Sequence, residues 1–179
     1  MKEKPILFSG PMIRAILANT KTQTRRAAKL PVVGAEGSVS EVVPSLLPNR
    51  GDLWDFRRML DNPMAVRCPY GQPGDRLWVR ETWAYGIHAM AAMRDENGPF
   101  VYAAEGTTQG RLCERWRPSI HMPRWASRIT LEVVSVRVER LQDISEADAE
   151  AEGIDFIRHY PDADETLTAK VLYEVLWES

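Results

Sequence analysis

Apolar and polar residues alternate in several stretches of the chain, a pattern typical of strands that bury one face. Strands are predicted at Lys4–Phe8, Arg76–Trp83, Phe100–Ala104 and Ile129–Leu141, of which the second and the last show this alternation. The last is the clearest, although its alternation changes phase near Val134, where a β-bulge is expected. Along the second stretch the carboxylate of Glu81 falls on the same face as the apolar Leu77 and Val79.

Apolar residues at helical spacing predict three helices. The first begins at Pro11, which suits the first turn of a helix, and ends near Asn19. The second is short and acidic, with Ser145 as its N-terminal cap and Gly153 as its C-terminal stop. The third is an amphipathic helix over 167–176, and the acidic turn before it suits the helix dipole.

Two segments have a weaker pattern. Residues 20–26 are polar with Thr at alternate positions, which predicts a turn leading into a strand. Residues 31–64 contain four Pro and three Gly and predict an insertion loop with a short helix at Leu53–Leu60. Together the elements predict an α+β fold, a small and mostly antiparallel β-barrel with short flanking helices and a C-terminal helix. The length of 179 residues predicts a single domain over 1–179.

Composition narrows the class of protein. With 44% apolar and 27% charged residues the chain is ordinary for a globular domain. Two Cys exclude a four-cysteine zinc ribbon and a disulfide-dense scaffold, and the three His lack metal-binding spacing. No apolar run approaches 18 residues, and the first one breaks at Ser9 before it could form a signal peptide. We therefore expect a cytoplasmic protein with no metal, no cofactor and no membrane partner.

Charge is unevenly distributed along the chain. Residues 1–140 contain 21 Lys and Arg against 14 Asp and Glu, or +7, whereas residues 141–179 contain 2 against 11, or −9. Of the 23 basic residues 18 are Arg, whose planar guanidinium binds phosphate bidentately and stacks on bases. The net charge of −2 is thus compatible with an anionic partner. Equally, the Arg residues could decorate the surface while the acidic tail folds back against them.

The densest cluster of polar side chains lies at 21–26. Its cations and hydroxyls suit a phosphate or a base edge, and Lys21 with Thr24 also suits a base-and-nucleophile pair. A solvated edge strand explains the same residues, since Lys and Thr are common there. Glu81 and Glu152 are the candidate carboxylates. An inward Glu81 needs a cationic partner, and the charge pattern alone makes Glu152 an ordinary surface residue.

Arg alternates with aromatic residues in the segment 115–125. Trp125 can stack on a base while Arg117 and Arg124 hold the nucleic-acid backbone. The alternative is a Trp in the core with Arg stacked over its edge. Two prolines make the segment a loop or an edge, and loops often carry binding sites.

Several blocks resemble the ASCH domain, a PUA-like β-barrel family, in the form found in tailed phages and prophages. They are Asn19–Arg26, Pro73–Glu81, the segment 128–153, and the blocks Cys-Pro-Tyr-Gly and Trp-Arg-Pro-Ser-Ile-His-Met-Pro. The resemblance covers about two-thirds of the chain and weakens at 31–64 and 84–112. It implies a PUA-like barrel that recognises RNA or modified nucleosides in the cytoplasm of the host cell.

One bacterial branch of that family hydrolyses N4-acetylcytidine with a Lys, a Thr and a Glu, and another is described as a ribonuclease. By motif the three residues fall on Lys21, Thr24 and Glu152. Two departures are the long inserts, which can reshape a pocket, and Asn19 where the family often has Gly. Asn tolerates the left-handed conformation, so the second departure is mild.

Three functions follow as hypotheses. The first is binding of RNA or a nucleoside in a cationic cleft, the second is an amidohydrolase acting on N-acylated cytidine, and the third is an accessory of phage assembly. The expected catalytic residues are Lys21, Thr24 and Glu152. The expected ligand-binding residues are Arg25, Arg26, Arg80, Glu81, Trp83, Arg117, Arg124 and Trp125. The sequence gives no information on the oligomeric state.

Overall fold

A computed structural model describes residues 1–28, 39–44, 53–58, 64–86, 98–106, 113, 115–154 and 168–178. These residues form eight strands: β1 (Glu3–Leu7), β2 (Val39–Pro44), β3 (Leu53–Arg58), β4 (Met64–Arg67), β5 (Arg76–Arg80), β6 (Trp83–Tyr85), β7 (Phe100–Tyr102) and β8 (Thr130–Glu132). They also form three α-helices: α1 (Gly10–Leu17), α2 (Glu146–Ala151) and α3 (Ala169–Glu178). Single 3-10 turns connect several of these elements. The α+β class predicted from the sequence is confirmed.

The described strands form three separate sheets, with strand orders β1-β5-β8, β2-β3-β4 and β6-β7. Strand β3 is antiparallel to both of its neighbours, and β6 is antiparallel to β7. Strands β1 and β5 instead run parallel, because Arg76 N donates to Lys2 O at 2.8 Å and Phe8 N donates to Arg80 O at 3.2 Å. A closed barrel stays a prediction, since none of these sheets closes within the described residues.

The chain divides into two compact units. The first unit comprises 1–4, 26–77 and 130–138, and it contains the β2-β3-β4 sheet. The second unit comprises 5–25, 78–129 and 139–179, and it contains all three α-helices and the β6-β7 sheet. The division cuts β1 after Lys4 and β5 after Leu77.

A buried carboxylate organises part of the first unit. Asp75 accepts a hydrogen bond from the amide of Lys2 at 2.7 Å and another from the amide of Gln72 at 3.3 Å. The backbone hydrogen bond from Lys2 stabilises the charged form and lowers the pKa of Asp75 below its ordinary value. The carboxylate thereby joins the N-terminal residues to the turn that precedes β5.

The second unit contains two apolar clusters. In one, Trp83, Met122 and Ala126 pack together beneath the partly buried rings of Tyr85 and Phe100. The other packs α2 and α3 against each other through six buried side chains: Ile144, Ala149, Ile154, Ala169, Leu172 and Tyr173. Burial of the larger apolar side chains contributes about 1.5–3 kcal/mol each and that of the alanines less, so these clusters hold the loops that carry the candidate site.

Local sequence signals gave correct element ends. The first helix ends as expected, with Asn19 in the left-handed conformation at φ 58°. Ser145 caps α2 by accepting a hydrogen bond from the amide of Asp148, and Gly153 follows the helix at φ 75°. The C-terminal amphipathic helix is also confirmed.

Four predicted elements differ from the structure, two of them only in extent. The strand predicted at 129–141 is regular only over Thr130–Glu132, and the strand predicted at 76–83 is divided between β5 and β6. Residues 20–26 form no strand, because two of their amides bond to α2 instead. The segment 53–60, predicted as a helix within a loop, contains strand β3, whose backbone groups pair with β2 and β4 on either side.

The hydrogen bonds to Asp75 predict a pH-dependent stability. Because the pKa of this carboxyl is lowered in the folded state, its contribution is complete above the unfolded pKa of about 4 and is lost as the pH falls through the folded value. Asp75→Asn should therefore lower the urea midpoint at pH 7 relative to the wild-type protein, and the difference should shrink progressively below pH ~4. Equal urea midpoints at pH 7 would contradict this role, and an exposed Asp143→Asn variant controls for charge.

Candidate functional site

The segment after α1 is folded back onto the helix and then onto α2. Thr20 N and Lys21 N both donate to Ala15 O, at 2.9 and 3.1 Å, which closes the end of α1 and turns Lys21 inward. Thr22 N and Gln23 N then donate to Ala151 O, at 2.8 and 3.0 Å. A carbonyl at the end of α2 that lacks a partner within its helix is thereby satisfied.

A buried ion pair joins this segment to the end of α2. Lys21 Nζ lies 2.7 Å from Glu152 Oε2, and it also donates to the main-chain oxygen of Glu152 at 2.8 Å. The side chains are only 2% and 8% exposed. The ring of Phe8 lies 5.8 Å from the same ammonium. Two candidate catalytic residues that are 131 positions apart in the sequence are therefore in direct contact.

Arg25 adds a second cation to this pair. Its guanidinium lies 3.5 Å from Glu152 Oε1, 3.0 Å from Glu139 Oε2 and 3.5 Å from Asp148 Oδ2. Burial alone would lower the pKa of Arg25, but the hydrogen bond that Arg25 donates to Glu139 and the charges of Glu152 and Glu139 outweigh it, so the pKa is raised. We call Lys21, Arg25, Glu139, Asp148 and Glu152 the Lys21 cluster. With two cations and three carboxylates it has a formal charge of −1, so it is not the cationic cleft that the sequence predicted.

Two further candidates at 20–26 are Thr24 and Arg26. Thr24 is exposed, and its hydroxyl makes no hydrogen bond within the described part of the chain. Arg26 is also exposed and belongs to the first unit. The structure thus brings Lys21, Arg25 and Glu152 together and leaves the predicted nucleophile open to solvent.

Glu81 is inward-facing, as its strand face predicted, and has a cationic partner. The carboxylate is 2% exposed and is held bidentately by Arg128, with Nε to Oε1 at 2.9 Å and NH2 to Oε2 at 3.0 Å. The remaining terminal nitrogen of Arg128 contacts Glu105, and the guanidinium lies 4.0 Å over the ring of Tyr102. We call these four residues the Arg128 cluster. Sequence reasoning missed Arg128, since a buried Glu81 requires a cation but does not say which of 18 Arg supplies it.

The aromatic residues form a partly exposed surface. Trp125 is 42% exposed and packs edge-on against Trp83 and tilted against Phe100, with centroids 5.8 and 5.5 Å apart. Arg117 lies over the rings of Trp83 and Tyr85, at 5.3 and 5.1 Å. Arg124 is exposed and shares a 3-10 turn with Trp125. We call Tyr85, Phe100, Arg117, Arg124 and Trp125 the Trp125 surface.

Two expected ligand-binding residues have structural contacts instead. Trp83 is a buried core residue, so its ring supports the Trp125 surface from below. The guanidinium of Arg80 donates from Nε to Met122 O at 3.1 Å and lies 4.8 Å over the ring of Trp78. Both contacts match the alternative in which Trp packs in the core and Arg stacks on an aromatic ring.

Among the described residues, no group of three or more His, Cys, Asp or Glu side chains is arranged to hold a metal ion. No helix in the described ranges is long and apolar enough to cross a membrane. Comparisons of the chain with protein-family models, with curated proteins and with solved structures found no match.

The packing around the Lys21 cluster predicts a strict requirement for glycine at 153. A Cβ there would lie 2.9 Å from the Cβ atoms of both Ala15 and Lys21, and φ is 75°. Gly106 has nearly the same φ, 73°, but open space around its missing Cβ. Gly106→Ala should cost about 1–2 kcal/mol from backbone strain alone, and Gly153→Ala about 1–3 kcal/mol more from overpacking. Urea unfolding of both variants measures the difference, and equal losses would show that the close approach is unimportant.

Proposed function

We propose that the protein binds single-stranded RNA or a nucleoside-type ligand through the Trp125 surface. The observation that supports this most directly is the large aromatic side chain of Trp125, which is 42% exposed and packs on the rings of Trp83 and Phe100. The exposed Arg117 and Arg124 belong to the same surface. The resemblance to the ASCH domain, with its PUA-like barrel and its association with RNA, points to the same class of ligand.

The physical basis is base stacking combined with phosphate contacts. An exposed indole offers a flat apolar face to any base, and such stacking contributes about 1–3 kcal/mol per base. Because Trp83 and Phe100 contact Trp125, the ring is held in place before a ligand arrives. The exposed Arg117 stacks on the rings of Trp83 and Tyr85 and still presents N–H donors to a phosphate.

Charge favours this surface over the Lys21 cluster. Both cations of that cluster already contact carboxylates, and its formal charge is −1. Arg117, by contrast, is exposed and lies over the rings of Trp83 and Tyr85. A polyanion would therefore gain more at the Trp125 surface.

This proposal predicts that RNA binding depends on Trp125 and Arg117. With a mixed-sequence 12-nucleotide RNA, Trp125→Ala should weaken binding about tenfold or more, because one stacking contact is lost, and Trp125→Phe should lose less. Arg117→Gln should weaken binding and reduce the slope of log K against log salt by about 0.7. Fluorescence anisotropy between 50 and 200 mM salt is a suitable measurement.

Arg76→Gln is the matched control, since it removes an exposed Arg from the first unit. If that control weakens binding as much as Arg117→Gln, the attraction is general and the Trp125 surface is not the site. The absence of any salt-dependent RNA binding would end the proposal.

A second candidate function, an amidohydrolase on N4-acetylcytidine-type nucleosides, is favoured by the contact between Lys21 and Glu152. Lys21 can accept the proton of a nucleophilic hydroxyl only after passing its own to a neighbour, and Glu152 Oε2 at 2.7 Å is within reach. The hydroxyl of Thr24 is exposed and three residues away in the chain, so it is open to a substrate carbonyl.

The hydrolase candidate predicts acetate release from N4-acetylcytidine that requires this hydroxyl. Thr24→Val should reduce kcat by about 10²-fold or more, because a nucleophile is removed, while Thr22→Val, which removes a neighbouring exposed hydroxyl, should leave kcat unchanged. Glu152→Gln should lower kcat as well. Acetate release that persists in Thr24→Val, or that never exceeds the rate without protein, would exclude this activity.

A further inference from the structure

In the Arg128 cluster, Arg128 contacts a second carboxylate that is not needed to neutralise the buried Glu81. Glu81 occupies Nε and NH2 of Arg128, which fixes the plane of the guanidinium and leaves NH1 pointing to a different partner. That partner is Glu105, whose side chain is 50% exposed. One side of the guanidinium is therefore locked in the interior, and the other meets an exposed carboxylate at the surface.

The guanidinium is held firmly in this orientation. A buried bidentate carboxylate positions it from one side, and the ring of Tyr102 supports its face at 4.0 Å. Tyr102 is itself fixed, since its hydroxyl donates to Ala126 O at 2.9 Å. Burial alone would lower the pKa of Arg128, but the hydrogen bond and charge of Glu81, followed by Glu105, outweigh it and raise the pKa. Arg128 is thus a permanently charged and preorganised donor.

A second cation contacts the residue that precedes Glu105. Arg14 of α1 is exposed, and its NH1 donates to Ala104 O at 3.4 Å. Counted together, Arg14, Arg128, Glu81 and Glu105 have no net charge. When the exposed Glu105 side chain swings into water, the remaining three have a net charge of +1 and an open N–H donor on Arg128, which suits an anion.

From this arrangement we infer that Arg128 binds a phosphate group, and that Glu105 is an internal carboxylate which occupies the phosphate position until the ligand displaces it. Guanidinium groups bind carboxylate and phosphate oxygens through the same N–H geometry, so one can replace the other. Glu105 is the displaceable partner, because it is half exposed whereas Glu81 is buried and bidentate.

The phosphate has a place beside a stacked base. Tyr102, beneath Arg128, packs against the same aromatic cluster that supports Trp125. This inference rests on the proposed function in one respect, the identity of the ligand. That ligand is a nucleotide rather than a free nucleoside, with its base on the Trp125 surface and a phosphate on Arg128.

The test uses Glu105→Gln, which removes the internal carboxylate from an exposed position and should not unfold the protein. Glu150→Gln, an exposed Glu on α2, is the control for the same change in net charge. The probes are inorganic phosphate and a mixed-sequence 12-nucleotide RNA. The readouts are the NMR signal of the Arg128 Nε–H group and the dissociation constant from calorimetry.

Glu105→Gln should bind phosphate about fivefold more tightly than wild type, because phosphate no longer has to displace a partly exposed ion pair of that strength. Glu150→Gln should bind phosphate as the wild-type protein does. Phosphate should shift the Arg128 Nε–H signal in the wild-type protein. An unshifted signal, or equal affinities in Glu105→Gln and Glu150→Gln, would overturn the inference.

The same experiment separates this inference from the proposed function. RNA that binds with equal affinity to both variants, and more weakly to Trp125→Ala, would keep the proposed function and exclude the phosphate site on Arg128. Phosphate that binds more tightly to Glu105→Gln, with no RNA binding by any variant, would keep the phosphate site and exclude RNA as its ligand.

Discussion

The buried ion pair of Lys21 and Glu152 fixes the segment after α1 against the end of α2, and the surrounding contacts follow from the cost of burying two charges. Such a pair is stable only when its remaining donors and acceptors are also satisfied. Here the main-chain oxygen of Glu152 accepts a second hydrogen bond from the ammonium, and Arg25 approaches the other carboxylate oxygen. Loss of either partner from a buried pair typically destabilises a protein by about 3–5 kcal/mol. Gly153 has no room for a side chain, because the buried Lys21 lies directly against it.

Charges from the basic and the acidic parts of the sequence pair with each other in the folded second unit. The acidic C-terminal part supplies Asp148 and Glu152 to cations of the basic part, so in the second unit the acidic segment does fold back on Arg and Lys. Arg117 and Arg124 are exposed next to aromatic rings, and that combination, rather than the count of basic residues, distinguishes the Trp125 surface.

Local rules in the sequence predicted local structure well and tertiary pairing poorly. Asn19 and Gly153 end their helices because few residues tolerate a positive φ, a property of the residue itself. The alternation at 129–141 has the same period throughout most of its length, yet only Thr130–Glu132 finds a partner strand. Likewise the short segment Leu53–Arg58 fits either a helix or a strand by its pattern, and pairing with its neighbours β2 and β4 makes it a strand. Of the candidate site, the inward carboxylate of Glu81 was predictable, but its partner Arg128 lies 47 positions away among many equivalent arginines.

The separation between Lys21 and Glu152 also sets the order in which the chain can mature during synthesis. The 131 positions that separate them take on the order of 10 s to translate at about 5–20 residues per second. For that interval the newly made N-terminal helix has neither the carboxylate for its lysine nor the carbonyl of Ala151 for the amides that follow. The residues around Lys21 are thus synthesised well before the partners that complete their final state, and until then they are exposed to proteases and chaperones.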